Sequence, residues 1–138
     1  HIPKSGAILI TVADQDKEEV VPIAEGFENL GYELVATAGT AKFLEEKGIH
    51  VGRVEKASAG TPNLLDDIKE GRICMVINTL THGSDATRDG FKIRRSTVEH
   101  AIPCLTSLDT ARALYKAMGA MRRRNVVSVV ALQDLKTE

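Results

Sequence analysis

Short, uninterrupted apolar runs alternate with stretches whose apolar residues recur at helical spacing. That alternation limits the fold more than any other feature of the chain. Residues 7–13 read Ala-Ile-Leu-Ile-Thr-Val-Ala, with no polar alternation. A continuous run of this kind suits a strand covered on both faces, as in a parallel sheet. Asp14-Gln15-Asp16 then offers an N-cap, and Val20, Ile23, Ala24, Phe27 and Leu30 fall on one helical face before a stop at Gly31. A second strand is expected over 33–36, a turn over 37–40, a helix over 41–47 closed by Gly48, and a weaker strand over 50–54.

The pattern then repeats. Thr61 is expected to cap a helix with Pro62 in its first position and Leu64, Leu65 and Ile68 inward, ending at Gly71. Residues 73–77 read as a strand, 78–90 as a polar, mobile surface loop, 91–100 as containing a helix, and 103–105 as a short strand. Ser107 or Asp109 caps a helix through Met118, with Leu108, Ala111, Tyr115 and Met118 on one stripe; residues 126–132 read as one more strand. The order predicts an α/β fold of three layers, a mainly parallel five-stranded sheet flanked by helices through right-handed crossovers.

A chain of 138 residues is the size of one domain, and 43 % apolar residues suffice for one core. A net charge of −1 gives no general attraction to nucleic acid or anionic membrane, so an anion site must be local. Three Phe, two Tyr and no Trp argue against a base-stacking platform. No apolar run is long enough to span a bilayer, and a signal-peptide pattern is lacking. Cys74 and Cys104 lie in apolar runs without CxxC spacing, as expected of reduced core thiols in a cytoplasmic protein. His1 stands where an initiator Met would, so the chain is expected to be part of a larger one, with a core over about 6–118 and an extension over 119–138.

Ligands of open parallel sheets bind beyond the carboxyl ends of the strands. Those ends carry Asp14, Asp16 and Lys17; Thr37, Gly39 and Thr40; Lys56 and Ser58; Asn78, Thr79 and Thr81; and Thr106 and Ser107. Thr40 is placed at a helix start, where free N–H groups and the helix dipole favour an anion. Gly39 lets the backbone approach, the Thr37 and Thr40 hydroxyls can donate to phosphate oxygens, and Lys17 and Lys56 supply point charges. Taken singly, such threonines are helix caps, such lysines are solvated charges and Asn78 is a turn residue; their convergence on one edge favours a phosphate seat.

Other candidates are weaker. His50, His82 and His100 lack metal-ligand spacing, so no metal site is expected. His82 and Asp85 share the polar loop, but nothing there completes a nucleophile or triad. Arg94-Arg95 can take an anion or pair with acids, and Arg122-Arg123-Arg124 reads as a solvated turn at a helix C-terminus. Neither GxGxxG nor a Walker A motif is present.

The segments ILITVADQDK, GYELVATAGTAKFLEEKGI, KASAGTPNLLDDIKEGR, VINTLT and DGFKIRRSTVEHAIPCLTSLDTARAL occur in that order over about residues 6–118. Together they resemble the C-terminal allosteric domain of the large chain of carbamoyl-phosphate synthase, in its bacterial, Gram-positive-like form. The resemblance implies a methylglyoxal-synthase-like, Rossmann-like fold and a regulatory role. The parent enzyme makes carbamoyl phosphate, for pyrimidine and arginine synthesis, from glutamine, bicarbonate and ATP. It works with ATP, Mg2+ or Mn2+ and a small glutamine amidotransferase chain. The domain itself is then expected to hold no cofactor, catalytic residue or metal. It would bind uridine monophosphate, inosine monophosphate or phosphoribosyl pyrophosphate, and make contacts to the rest of the large chain and to further copies.

Family effector contacts fall on Thr11, Lys17, Thr37, Thr40, Lys56 and Asn78, beside Gly39. Leu80 stands where some relatives carry a second Thr, so that contact passes to Thr79 or Thr81. The related methylglyoxal synthase eliminates phosphate from dihydroxyacetone phosphate. It needs an Asp in a Gly-rich loop before the third helix and a His after the fourth strand. Here the loop reads Ser58-Ala59-Gly60-Thr61 and Ala86 falls near the His place, although Asp89 remains, so synthase activity is not expected. The related cyclohydrolase of purine synthesis would need a second domain. A non-binding assembly domain is the remaining alternative.

Overall fold

β1 (Ala7–Thr11) is the centre strand; Ala7 to Ile10 are buried, Ile8, Leu9 and Ile10 completely, and Thr11 at its carboxyl end is partly exposed. A computed structural model describes residues 6–56, 63–79 and 84–137. After β1 come a short 3-10 turn at Asp14–Asp16, α1 (Lys17–Asn29), β2 (Glu33–Ala36), α2 (Ala38–Glu46) and β3 (Gly52–Arg53). Then follow α3 (Leu64–Lys69), β4 (Ile73–Asn78), α4 (Ser84–Glu99), β5 (Cys104–Leu105) and α5 (Leu108–Thr137).

The five strands lie in the order β3-β2-β1-β4-β5, and every pair is parallel. Ile10 lies opposite Ala36 on one side and Ile77 on the other. The chain moves outward through β2 and β3, then returns to the far side of β1 for β4 and β5. The direction of winding therefore reverses between β1 and β4, where such sheets open a crevice at their carboxyl ends.

One face of the sheet is covered by α1, α2 and α5. Val20, Ile23 and Phe27 of α1 and Leu44 of α2 join Ile8, Ile10, Met75 and Ile77 in one core cluster. Phe27 anchors it, meeting Tyr32 and Tyr115 edge-on at 6.1 and 5.8 Å between ring centroids. On the other face Leu64 and Ile68 of α3 and Ile93 of α4 cover Leu9 and Val76. Gly31, Gly48 and Gly71 follow α1, α2 and α3 with φ of +96°, +84° and +82°, the left-handed turn that ends a helix.

Four expectations are corrected. Residues 126–132 are not a strand: α5 runs unbroken through them, because neither proline nor a glycine pair interrupts 108–137 and both outer places in the sheet are held by β3 and β5. Arg122-Arg123-Arg124 consequently lies inside α5, where Arg122 Nη1 donates to the Leu30 carbonyl at the end of α1. Residues 84–90 are the first turns of α4 rather than loop; 80–83 lie outside the described residues. Asn63, not Thr61, caps α3: its side chain accepts from the Leu65 N–H at 2.8 Å while the Asp66 carboxylate accepts from the Asn63 N–H at 2.8 Å. Thr61 and Pro62 are outside the described residues.

Cys74 and Cys104 are both free and half-buried. Cys74 packs against one core cluster and Cys104 against the other, so their side chains leave the sheet on opposite faces and cannot pair.

Candidate functional site

The ends of β1 and β4 are tied together at the winding reversal. Thr11 Oγ1 donates to Asn78 Oδ1 at 3.0 Å, the Thr79 N–H donates to the Thr11 carbonyl at 3.1 Å, and the Ala13 N–H donates to Thr79 Oγ1 at 2.9 Å. Asn78 Nδ2 reaches the Gly90 carbonyl in α4 at 3.4 Å. Asn78 and Thr79 are buried polar residues, so these bonds offset the desolvation they suffer and fix their orientation.

Next to this seam β2 runs into α2. The first intrahelical bond of α2 is from the Ala41 N–H to the Thr37 carbonyl, 2.9 Å. The N–H groups of Ala38, Gly39 and Thr40 thus precede the ladder. Thr37 is the N-cap, and its side chain makes no cap bond. Thr40, expected at the helix start, is the third helical residue and buried, while Ala38 and Gly39 are exposed. The helix begins three residues earlier than the apolar pattern suggested, because Ala38-Gly39-Thr40 has no apolar period to announce it.

Lys17, the first residue of α1, has its side chain only 20 % exposed. A Cβ placed on Gly39 would lie 3.5 Å from its Nζ. The ammonium therefore hangs over the first turn of α2, within ordinary contact distance of residue 39. Its partner is the Asp14 carboxylate at 2.7 Å, three residues back and 95 % exposed. The Lys17 hydrogen bond and charge hold the Asp14 carboxyl below its ordinary range. The i, i+3 spacing of Asp14 and Lys17 was the available sequence signal for this pair.

Two groups of expected site residues are thus brought together: Thr11, Asn78 and Thr79 by hydrogen bonds, and Lys17 with the Thr37-Gly39-Thr40 turn by proximity. Lys56 is exposed beyond β3, and no described hydrogen bond or ion pair links it to the others. Ser58, Leu80, Thr81 and His82 lie outside the described residues.

A polar pocket of about 240 Å³ adjoins the seam at Thr79 and is lined also by Asp16, Glu19, Thr106, Ser107 and Asp109. The strand-end reading placed Asp16, Thr79, Thr106 and Ser107 on this edge, but not Glu19 or Asp109. Arg112 donates to two of these carboxylates, Glu19 at 3.0 Å and Asp109 at 2.8 Å. Ser107, not Asp109, caps α5, through a bond from the Thr110 N–H at 3.5 Å. A larger depression of about 820 Å³ lies at the opposite end of β2 and β3; of the residues considered above it contains His50 and none of those at the carboxyl ends of the strands.

Among the described residues no cluster of His, Cys, Asp and Glu is suited to a metal ion. No described helix is long and apolar enough to cross a membrane. Burial pushes both thiols above their ordinary pKa, so neither is activated as a nucleophile.

A family model described as "MGS-like domain" matches residues 19–106. Among solved structures, methylglyoxal synthase from Elizabethkingia anophelis NUHP1 superposes with a TM-score of 0.63 at 24 % identity, over 83 % of this chain and 79 % of that one. The protein ForH superposes with a TM-score of 0.56 at 19 % identity, over 80 % and 77 %. At these identities the likeness is one of fold.

Proposed function

The chain belongs to the MGS-like domain family, and we propose that within it this chain is a sensor: a regulatory domain that binds a phosphorylated nucleotide effector and carries out no reaction itself. The observation that carries this reading is the Lys17 ammonium held over the open first turn of α2, against Gly39. A phosphate seated there meets the N–H groups of Ala38, Gly39 and Thr40, the positive end of the helix dipole and one fixed cation. The Thr37 hydroxyl, not spent on capping, is a further donor. The sugar and base would extend across the β1–β4 seam toward Asn78 and Thr79, with Lys56 a further contact.

The ordered sequence resemblance supports a place in the large chain of carbamoyl-phosphate synthase. Its ATP and metal sites and its glutamine-hydrolysing partner would then belong to other parts of that enzyme. Effector binding would bias its activity through a coupling of about 1–3 kcal/mol. The alternative, a phosphate-eliminating lyase, has in its favour the likeness to a methylglyoxal synthase. Against it, the stretch Ser58-Ala59-Gly60-Thr61 supplies no carboxylate, and the carboxylate paired with Lys17 among the described residues, that of Asp14, points into solvent.

Calorimetric titration with uridine monophosphate, inosine monophosphate and phosphoribosyl pyrophosphate tests the reading. Saturable binding of at least one supports it, and absence of heat for all three overturns it. Sustained release of phosphate from dihydroxyacetone phosphate, above a Thr61→Ala control, would establish the lyase instead.

A further inference from the structure

A hydroxyl has one proton to give, and at the end of β1 that proton is spent inside the protein. Thr11 Oγ1 lies 3.0 Å from Asn78 Oδ1 and 3.5 Å from the Ile77 carbonyl, so the shorter bond takes it. The family resemblance makes Thr11 a direct effector contact. With its proton committed, however, the Thr11 hydroxyl has nothing to donate to a phosphate or carbonyl oxygen. What it holds instead is the carboxamide of Asn78.

That carboxamide has two ends of opposite character. Oδ1 accepts from Thr11, and Nδ2 faces the Gly90 carbonyl of α4 at 3.4 Å. Turned the other way, Oδ1 would face the Gly90 carbonyl, acceptor against acceptor. The two contacts therefore select one orientation, and Thr11 makes the shorter of them. Asn78 is only 4 % exposed, so without the Thr11 donor its Oδ1 would be a buried, unsatisfied acceptor. Thr79 is settled in the same way: its Oγ1 accepts from the Ala13 N–H at 2.9 Å, and the residue lines the polar pocket beside the seam. The acceptor atoms of both side chains are thus used within the protein. Among the described residues the hydroxyl proton of Thr79 and the second Nδ2 proton of Asn78 meet no acceptor.

We infer that Thr11 is a positioning residue: it locks the Asn78 carboxamide so that the β1–β4 seam offers hydrogen-bond donors, Asn78 Nδ2 and the Thr79 hydroxyl, to acceptor oxygens on the part of the effector beyond its phosphate. The inference rests on the reading that a phosphorylated nucleotide binds along this edge, and it moves Thr11 from the ligand's contacts to their support. A Val at position 11 keeps the branched shape and removes the donor. Asn78 Oδ1 then turns toward another donor, water included, and Nδ2 leaves its place. A Ser at position 11 keeps the donor.

Calorimetry and 15N-edited spectra of the 138-residue chain test it. With uridine or inosine monophosphate, whichever binds wild type, Thr11→Val is expected to bind about three- to tenfold more weakly, the loss of one oriented hydrogen bond, and Thr11→Ser within about twofold of wild type. With inorganic phosphate, which reaches the α2 turn alone, all three proteins should agree within about twofold. The Asn78 side-chain amide protons should show cross-relaxation with Gly90 and slow exchange with water in wild type and Thr11→Ser, and lose both in Thr11→Val. Equal nucleotide affinity in Thr11→Val and wild type, a phosphate affinity that falls as far as the nucleotide's, or an Asn78 amide unaltered in Thr11→Val would each overturn the inference. If neither nucleotide binds wild type, the effector reading is what fails, and the Asn78 resonances decide whether Thr11 holds the carboxamide. If circular dichroism shows Thr11→Val unfolded, the wild-type spectrum decides: Asn78 amide protons that exchange freely, or that lie far from Gly90, refute the positioning role.

Discussion

Replacing Lys17 by Met removes the cation that the described residues fix over the first turn of α2 while keeping most of the side chain's length. The side chain is four-fifths covered, so its ammonium is held in place before any ligand arrives. Its present partner, Asp14, is 95 % exposed and can turn to water at little cost when a phosphate takes its place. The loss on substitution is therefore close to that of one hydrogen bond between charged groups, about 1.5–3 kcal/mol. That corresponds to a Kd weaker by about ten- to 150-fold. Asp14→Asn works in the opposite direction: it removes the competing carboxylate, so affinity should hold or tighten. Calorimetry with whichever nucleotide binds wild type reads both variants, and thermal melts confirm that each is folded. If Lys17→Met binds within about twofold of wild type, or Asp14→Asn weakens binding as much as Lys17→Met, the phosphate does not sit under Lys17.

Three further predictions concern stability. A Cβ on Gly26 would lie 2.6 Å from the Tyr115 ring; overpacking outweighs the gain in helix propensity, so Gly26→Ala should lose about 1–2 kcal/mol in denaturant unfolding. Adding Tyr115→Leu should recover part of it, and a Gly26→Ala more stable than wild type would contradict the α1–α5 packing. Ala101 ends α4 with φ of +54°, a strained turn for a residue with a side chain, so Ala101→Gly should gain about 0.5–1 kcal/mol after its cost in chain entropy; an unchanged or lower midpoint refutes it. Burial raises the pKa of Cys74, Cys104 and Tyr32 above the ordinary values of a thiol and a phenol. The unfolded chain then loses these protons first, so stability is full below about pH 9 and falls as pH rises further; melts between pH 8 and 10.5 should show the decline, less steep in Cys74→Val, and a flat or rising profile would refute it.

The parallel sheet was readable because double-sided burial leaves a mark in composition. The run at 7–13 admits no polar alternation, and the structure buries all of it except Thr11. Helix ends were readable where glycine alone tolerates the required backbone, at Gly31, Gly48 and Gly71. What was misread had a competing signal or lacked one. The valines of 126–132 favour a strand in isolation, but a strand needs a neighbour, and that segment instead continues a helix begun at Leu108. The first turns of α4, Ser-Asp-Ala-Thr-Arg-Asp, have no apolar stripe, so helical periodicity was invisible there. Thr61 and Asn63 are both good caps; the choice fell to Asn63 because Asp66 stands three residues on and closes the reciprocal bond.

The candidate site was legible as residue types at strand ends. The strand order is what sets β1 beside both β2 and β4, and hence Lys17 near Gly39 and Thr11 against Asn78. The pocket shared by Thr79, Thr106 and Ser107 depends on side-chain directions that spacing does not specify.

The central claim is that a phosphorylated nucleotide rests on the first turn of α2. Backbone amide shifts of the 15N-labelled chain, followed during titration with uridine monophosphate and separately with inorganic phosphate, test it most directly. The account predicts that Ala38, Gly39 and Thr40 shift first and furthest with both, that Asn78 and Thr79 respond to the nucleotide alone, and that Ile49 and Val51 in the far hollow stay still. Amides 38–40 that do not move at saturating nucleotide, or a response centred elsewhere, would contradict it.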